Sequence, residues 1–187
     1  MLSDAEIYFV EQLTQVQRVN NQQYNQSADV YIQRNPIPSV EKSCILTSNN
    51  TVISCHLKKQ LQEELENPRI TINLEYSSDE CVQLVALLSR YLEASQQTLF
   101  VDVINEGPQF GTLLALACNI LLETKLEIKT VAKIGSNWVA DPNDVEAMSA
   151  SCKLFVVKNE SKVVGMRAYG KIVEDFQQGI KLAVDYE

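Results

Sequence analysis

The sequence predicts an α+β fold, built from hairpin-paired strands with helices packed on them. Three observations predict it. Short segments of two-residue hydrophobic alternation are mixed with segments of helical periodicity along the 187 residues. Turn chemistry joins neighbouring strands directly, as at Ser48-Asn49-Asn50. Hairpins also dominate over the strand–helix–strand units that a parallel sheet would need.

Each element follows from its residues. Ser3 to Arg18 reads as an amphipathic helix, with Ser3 as N-cap and Glu6 completing a capping box. Ile7, Val10, Leu13 and Val16 form its apolar stripe. The polar stretch from Val19 to Ser27 reads as a loop. Ala28–Gln33, Ser43–Thr47 and Thr51–Lys59 read as strands. In the last of these, Ile53, Cys55 and Leu57 face one way and Ser54, His56 and Lys58 the other. Ile70–Glu75 is a further expected strand. Ser77-Ser78-Asp79-Glu80 opens a helix whose expected stripe is Val82, Val85, Leu88 and Leu92.

Thr98 to Leu122 is the most informative stretch. Leu99, Val101 and Val103 alternate with Phe100, Asp102 and Ile104 as a buried strand. A Gly-Pro turn follows, and then Gly111–Leu122, a helix that is apolar nearly all round. Glu127–Ile134 reads as a strand, and Trp138 and the Asp141-Pro142 pair as part of a loop. Ser151–Val157 and Lys162–Ala168 are strands flanking a turn. Lys171–Tyr186 closes the chain as a helix with Ile172, Phe176, Ile180 and Val184 on one side. No internal repeat or linker interrupts this, so residues 1–187 are expected to form one domain.

Composition narrows the function classes. With 24 carboxylates against 16 Lys and Arg, the net charge is −8. That balance disfavours autonomous nucleic-acid binding, which needs clustered cations. It leaves room for a subunit that uses its neighbours' basic surface. No apolar run approaches the ~20 residues of a membrane span, so no membrane role is expected. Asp4 and Glu6 near the start do not suit a signal peptide. The five cysteines lack C-x-x-C spacing, which fits neither a usual zinc site nor a disulfide framework. A reducing compartment is expected.

An acid-bearing strand feeding a glycine turn and a buried helix is a common active-site layout. Yet no Lys or Arg occurs from Tyr91 to Thr124, so nothing local could hold a phosphate. His56 is the only histidine, which leaves little from which to build a triad or a histidine metal site. No P-loop or dinucleotide-binding glycine motif is present. No catalytic residue, metal ligand or cofactor is expected.

The segment Asp102-Val103-Ile104-Asn105, then Glu106-Gly107, then Gly111–Leu122, resembles the ribonuclease PH family, which includes the ring subunits of the RNA exosome. Asp141-Pro142-Asn143-Asp144-Val145-Glu146 is similar to that family's Asp-Pro-Thr-x-x-Glu signature. Two late strands, Gly170 and a final helix also follow the family order, and Leu2-Ser3-x-x-Glu6 with Arg18-Val19 resembles one type of exosome subunit. The resemblance runs over nearly the whole chain. It implies a ribonuclease PH-like core of the ribosomal protein S5 domain 2-like kind.

The family's active enzymes cleave RNA from its 3′ end with inorganic phosphate. By resemblance, Asp102 stands at the strand Asp and Glu106 near the Asp of the Asp-Gly turn, both as degenerate active-site positions. Phe110 lies roughly where bacterial members place an arginine. The expected phosphate loop before the middle helix offers only Arg69 and no glycine. Arg90, Lys58 and Lys59 are the candidate RNA contacts.

The resemblance therefore implies a non-catalytic ring subunit of the eukaryotic exosome core, present in nucleus, nucleolus and cytoplasm. Its implied partners are other ribonuclease PH-like subunits, S1/KH cap proteins and RNA passing through the assembled channel. One alternative is an active phosphorolytic exoribonuclease subunit whose arginines come from a partner. Another is an adaptor domain with no RNA role.

Overall fold

The computed structural model describes residues 2–14, 18, 27–59, 78–92, 97–171 and 173–186. The expected loop at 19–26, the expected strand at 70–75, Arg69 and the side chain of Lys59 lie outside the described residues. Among the described residues, thirteen elements form an α+β fold with two four-stranded sheets. They group into two compact units, Val30–Glu127 and Met1–Asp29 with Ile128–Glu187. Among the described residues no helix is long and apolar enough to cross a membrane.

The Val30–Glu127 unit holds strands β1 (Tyr31–Arg34), β2 (Ser43–Ser48), β3 (Thr51–Lys59) and β4 (Gln97–Asn105), in the spatial order β1-β2-β3-β4. All three pairings are antiparallel. Asn49 adopts φ 48° in the β2–β3 hairpin, a left-handed turn conformation that asparagine tolerates better than most residues. The inward set of β3 is as expected: Ile53, Cys55 and Leu57 are buried, joined by Cys44, Leu46, Leu99 and Val101. Helix α3 (Phe110–Leu122) packs on β2 and β3, and also on helix α2 (Asp79–Ser89). With Leu113, Leu114, Ala117, Cys118 and Leu121 all buried, α3 is the core of this unit. Each fully buried leucine contributes roughly 1.5–3 kcal/mol.

Helix α3 stops at Glu123, which takes φ 57° as C-cap. Asn119 holds the turn that follows: its Nδ2 donates to the Leu126 carbonyl (2.7 Å), while its Oδ1 accepts the Leu126 N–H (2.9 Å). The α2 stripe is a correction. Val82 is half exposed, and the buried positions are Cys81, Leu84, Leu87 and Leu88. Both stripes satisfy helical spacing, and contact with α3 selects between them. Leu92 lies beyond the helix end.

The other unit carries β5 (Leu126–Ile134, most of whose residues belong here), β6 (Asn137–Ala140), β7 (Cys152–Asn159) and β8 (Lys162–Gly170), in the order β6-β5-β7-β8. Alternation along β5 and β6 sends residues to both faces of this sheet. Val131, Trp138 and Ala140 join Leu154, Val156, Ala183 and Tyr186 beneath helix α5 (Phe176–Asp185). Ala132, Ile134 and Val139 meet Val10 of helix α1 (Asp4–Thr14) and Val145 of helix α4 (Asp144–Ser149). Gly179 of α5 lies so close to Trp138 that a Cβ there would sit 2.7 Å from the indole ring.

Three further boundaries differ from expectation. Trp138 belongs to β6 and not to a loop, because pairing with Lys133 fixes a strand too short to show periodicity. The last helix begins at Phe176 and not Lys171. The Ser3–Glu6 capping box is present, with Ser3 N–H to Glu6 Oε2 at 2.8 Å and Glu6 N–H to Ser3 Oγ at 3.4 Å. Helix α1 is described over Asp4–Thr14, and residues 15–17, with the expected stripe position Val16, lie outside the described residues. Arg18 is not helical and is fully buried.

Candidate functional site

Register places the sequence-predicted acids on β4. Leu99 and Val101 turn toward α3, so Phe100, Asp102 and Ile104 occupy the opposite face of the sheet. Asp102 lies directly across from Ser54, and Phe100 across from His56. The His56 and Phe100 rings stack, with centroids 5.1 Å apart and planes within 7°. Lys58 Nζ sits 4.9 Å from the Phe100 centroid, a cation–π distance. This face thus carries an imidazole, a phenyl ring, an ammonium and a carboxylate. Partial burial, then repulsion from Lys58, lowers the His56 pKa; attraction from Asp102 acts the other way. The imidazole is therefore neutral at pH 7.

Glu106 lies just past the end of β4 and is exposed, and its Oε2 accepts the Ser78 N–H at 3.0 Å. Ser78 is the N-cap of α2, and its Oγ accepts the Cys81 N–H at 3.3 Å. Glu106 is thus engaged at a helix N-terminus, where a carboxylate is favoured by the helix dipole. The turn between β4 and α3 is bound to the β2–β3 hairpin: Thr51 Oγ1 donates to Gln109 Oε1 at 3.2 Å, and Asn105 Nδ2 donates to the Asn50 carbonyl. Phe110 points into the core and is 2% exposed. An apolar side chain buried there has nothing to offer a phosphate.

The candidate RNA contacts are dispersed. Arg90 is the exposed C-cap of α2. Lys58 is exposed on β3, and the backbone of Lys59 pairs with Gln97. Of these cations, Lys58 shares the His56–Phe100 face with Asp102, while Arg90 stands at the end of α2. No group of three or more His, Cys, Asp or Glu side chains among them is placed to hold a metal.

The Asp141–Glu146 signature builds something else. Asn143 caps α4, and its Oδ1 accepts the Glu146 N–H while Glu146 Oε2 accepts the Asn143 N–H, both at 3.0 Å. The same buried carboxylate receives Arg18: Nη2 donates to Oε2 at 2.7 Å and Nε to Oε1 at 3.1 Å. Arg18 Nη2 also donates to the Asp141 carbonyl at 3.1 Å. Asp141 takes φ 46° and its Oδ2 accepts the Ala28 N–H at 2.6 Å. Burial raises the Asp141 pKa, against the pull of the Ala28 hydrogen bond and of Arg18. Sequence reading marked Arg18 and this signature separately and missed that they meet. No local signal pairs residues so far apart.

All five cysteines are free and buried. Cys44 and Cys55 face each other across β2 and β3. Burial pushes the Cys81 and Cys118 thiols up to about 12, which leaves no activated thiolate at either position.

Two four-stranded sheets with helices, in this element order, are the ribonuclease PH-like fold found in exosome cores. Among solved structures, the chain superposes on Rrp46 from rice (Oryza sativa) with TM-score 0.74 and 15% identity, covering 89% of this chain and 92% of that one. For an archaeal exosome core the values are 0.76 and 17%, covering 97% and 93%. For the Archaeoglobus fulgidus exosome with RNA bound to the active site they are 0.77 and 17%, covering 97% and 94%. No family model and no curated protein matches the sequence. At these identities the likeness is one of fold.

Proposed function

We propose that this chain is a non-catalytic ring subunit of a eukaryotic RNA exosome core, of the ribosomal RNA-processing protein forty-two type. In this reading it pairs with other ribonuclease PH-like subunits beneath S1/KH cap proteins, in nucleus, nucleolus and cytoplasm, and forms part of the wall of an RNA-threading channel. The observation that carries the proposal is the placement of the acids and of Phe110 on a ribonuclease PH-like fold. Glu106 is bonded to the start of α2, Asp102 faces Ser54, and Phe110 is buried where a cation would be needed. Phosphorolysis requires cations that hold phosphate against the scissile group. Opposite Asp102 stands Ser54, and Lys58 of the same face lies over the Phe100 ring.

Co-purification of the tagged full chain from its native cell at moderate salt tests assembly. Recovery in equal amounts with ribonuclease PH-like and S1-domain chains is expected, and a lone monomer overturns the reading. Phosphate-dependent release of nucleoside diphosphates tests the absence of catalysis. The expected result is that Asp102→Asn leaves RNA turnover by the purified assembly within about twofold of the parent. Loss of a phosphate-dependent activity in that variant would instead identify an active subunit that borrows its partner's arginines.

A further inference from the structure

The β7–β8 hairpin departs from the charge of the rest of the chain. Residues 152–171 contain Lys153, Lys158, Lys162, Arg167 and Lys171 against the single acid Glu160, a local +4 within a chain of −8. The remaining residues therefore total −12.

This basic hairpin ends in an open edge. β8 is the outermost strand of its sheet and is exposed or half-exposed along all nine residues. The Lys171 N–H donates to the Ser151 carbonyl at 2.9 Å, which sets the alternation along the antiparallel pair. Gly165, Arg167 and Tyr169 then bond toward β7, while Met166 and Ala168 turn their N–H and C=O outward. Helix α5 packs on β6 and β7, so on that face of the sheet Met166 stays 47% exposed. Val163, near the start of the strand, is 40% exposed. Natural edge strands are guarded by charge, bulges, cover or proline. Among the described residues β8 is uncovered and has no proline. Its guards are the charges of Lys162 and Arg167 and an irregularity in its pairing near Val157 and Lys158.

We propose that the β8 edge is a docking surface for an extended, acidic segment of another protein, which adds to the sheet as a fifth strand. The row of outward amides and carbonyls fits a peptide backbone and not a nucleic acid, which has no matching repeat. The cations flanking that row select an acidic occupant. A second copy of this chain is a poor fit, since of its described outer strands β1, β6 and β8 have no carboxylate and β4 has only Asp102. The proposal holds whether or not the chain sits in an RNA-degrading assembly.

Backbone amide exchange by NMR on the full chain tests it. The probe is a synthetic peptide of roughly eight alternating glutamate and valine residues. A lysine–valine peptide and oligouridylate serve as comparisons. The acidic peptide is expected to slow exchange at Met166 and Ala168 by roughly tenfold or more, and the other two are not. Ala168→Pro removes one outward N–H without touching the β7 pairing, so it abolishes this protection. Lys162→Glu with Arg167→Glu leaves the backbone unchanged and reverses the preference toward the lysine peptide. That variant decides the matter if the proline variant fails to fold. Equal protection by both peptides, protection by neither, protection of the same amides by oligouridylate, or their protection in a homodimer without peptide overturns the proposal.

Discussion

The guanidinium of Arg18 forks onto the carboxylate of Glu146, 128 residues further along the chain, with Nη2 2.7 Å from Oε2 and both side chains fully buried. The pair joins the segment after α1 to the capped start of α4, and the Asp141 carbonyl accepts a third bond from the same guanidinium. Removing either partner strands a buried charge. Arg18→Met and Glu146→Gln are each expected to destabilise the protein by about 3–5 kcal/mol. Arg18→Met with Glu146→Leu should recover part of that loss, because no unpaired charge remains. Urea unfolding of the three variants measures both effects.

The His56 ring reports on the face of the sheet that carries Asp102. Its NMR titration midpoint is expected below the ordinary 6.5. Lys58→Met should raise it by removing a repulsion, and Asp102→Asn should lower it further by removing an attraction. The sign for stability follows: the unfolded chain takes up the proton first, so stability falls as pH drops from 6.5 toward the folded value. A midpoint unmoved by either substitution would show that the two charges do not act on this ring.

Gly179→Ala tests the packing of α5 on its sheet. The added methyl would lie 2.7 Å from Trp138 Cη2 and Cζ3, inside the contact distance of carbon atoms. Overpacking of this kind costs about 1–3 kcal/mol. The expected result is a lower unfolding midpoint together with a shifted Trp138 fluorescence maximum, Trp138 being the chain's only tryptophan.

Thiol labelling gives a separate readout of the Val30–Glu127 unit. Cys81 and Cys118 are buried, with pKa values pushed up to about 12. Neither should react with iodoacetamide at pH 8 while the protein is folded, and both should react once urea unfolds it. Labelling of Cys118 under native conditions would show that α3 opens from the sheet.

Much of the fold was legible because its signals are local. The Ser3–Glu6 capping box, the N-cap at Ser78, the inward set Ile53, Cys55 and Leu57, and the apolar helix after Phe110 each depend on residues within a turn or an alternating run. Caps, turns and periodicity act over a few residues, so sequence alone determined the α+β class, the hairpins and the lack of a cation beside Asp102 in the chain. Tertiary structure decided what depends on neighbours from elsewhere. It chose Cys81 and Leu84 over Val82 and Val85 on α2, since both stripes have helical spacing and only α3 breaks the tie. It turned Arg18 out of a helix and onto Glu146. It also left β8 as the outer strand of its sheet, a position that the hairpin's own residues do not dictate. Long-range pairing decides such placements, and no periodicity in the chain encodes that partner choice.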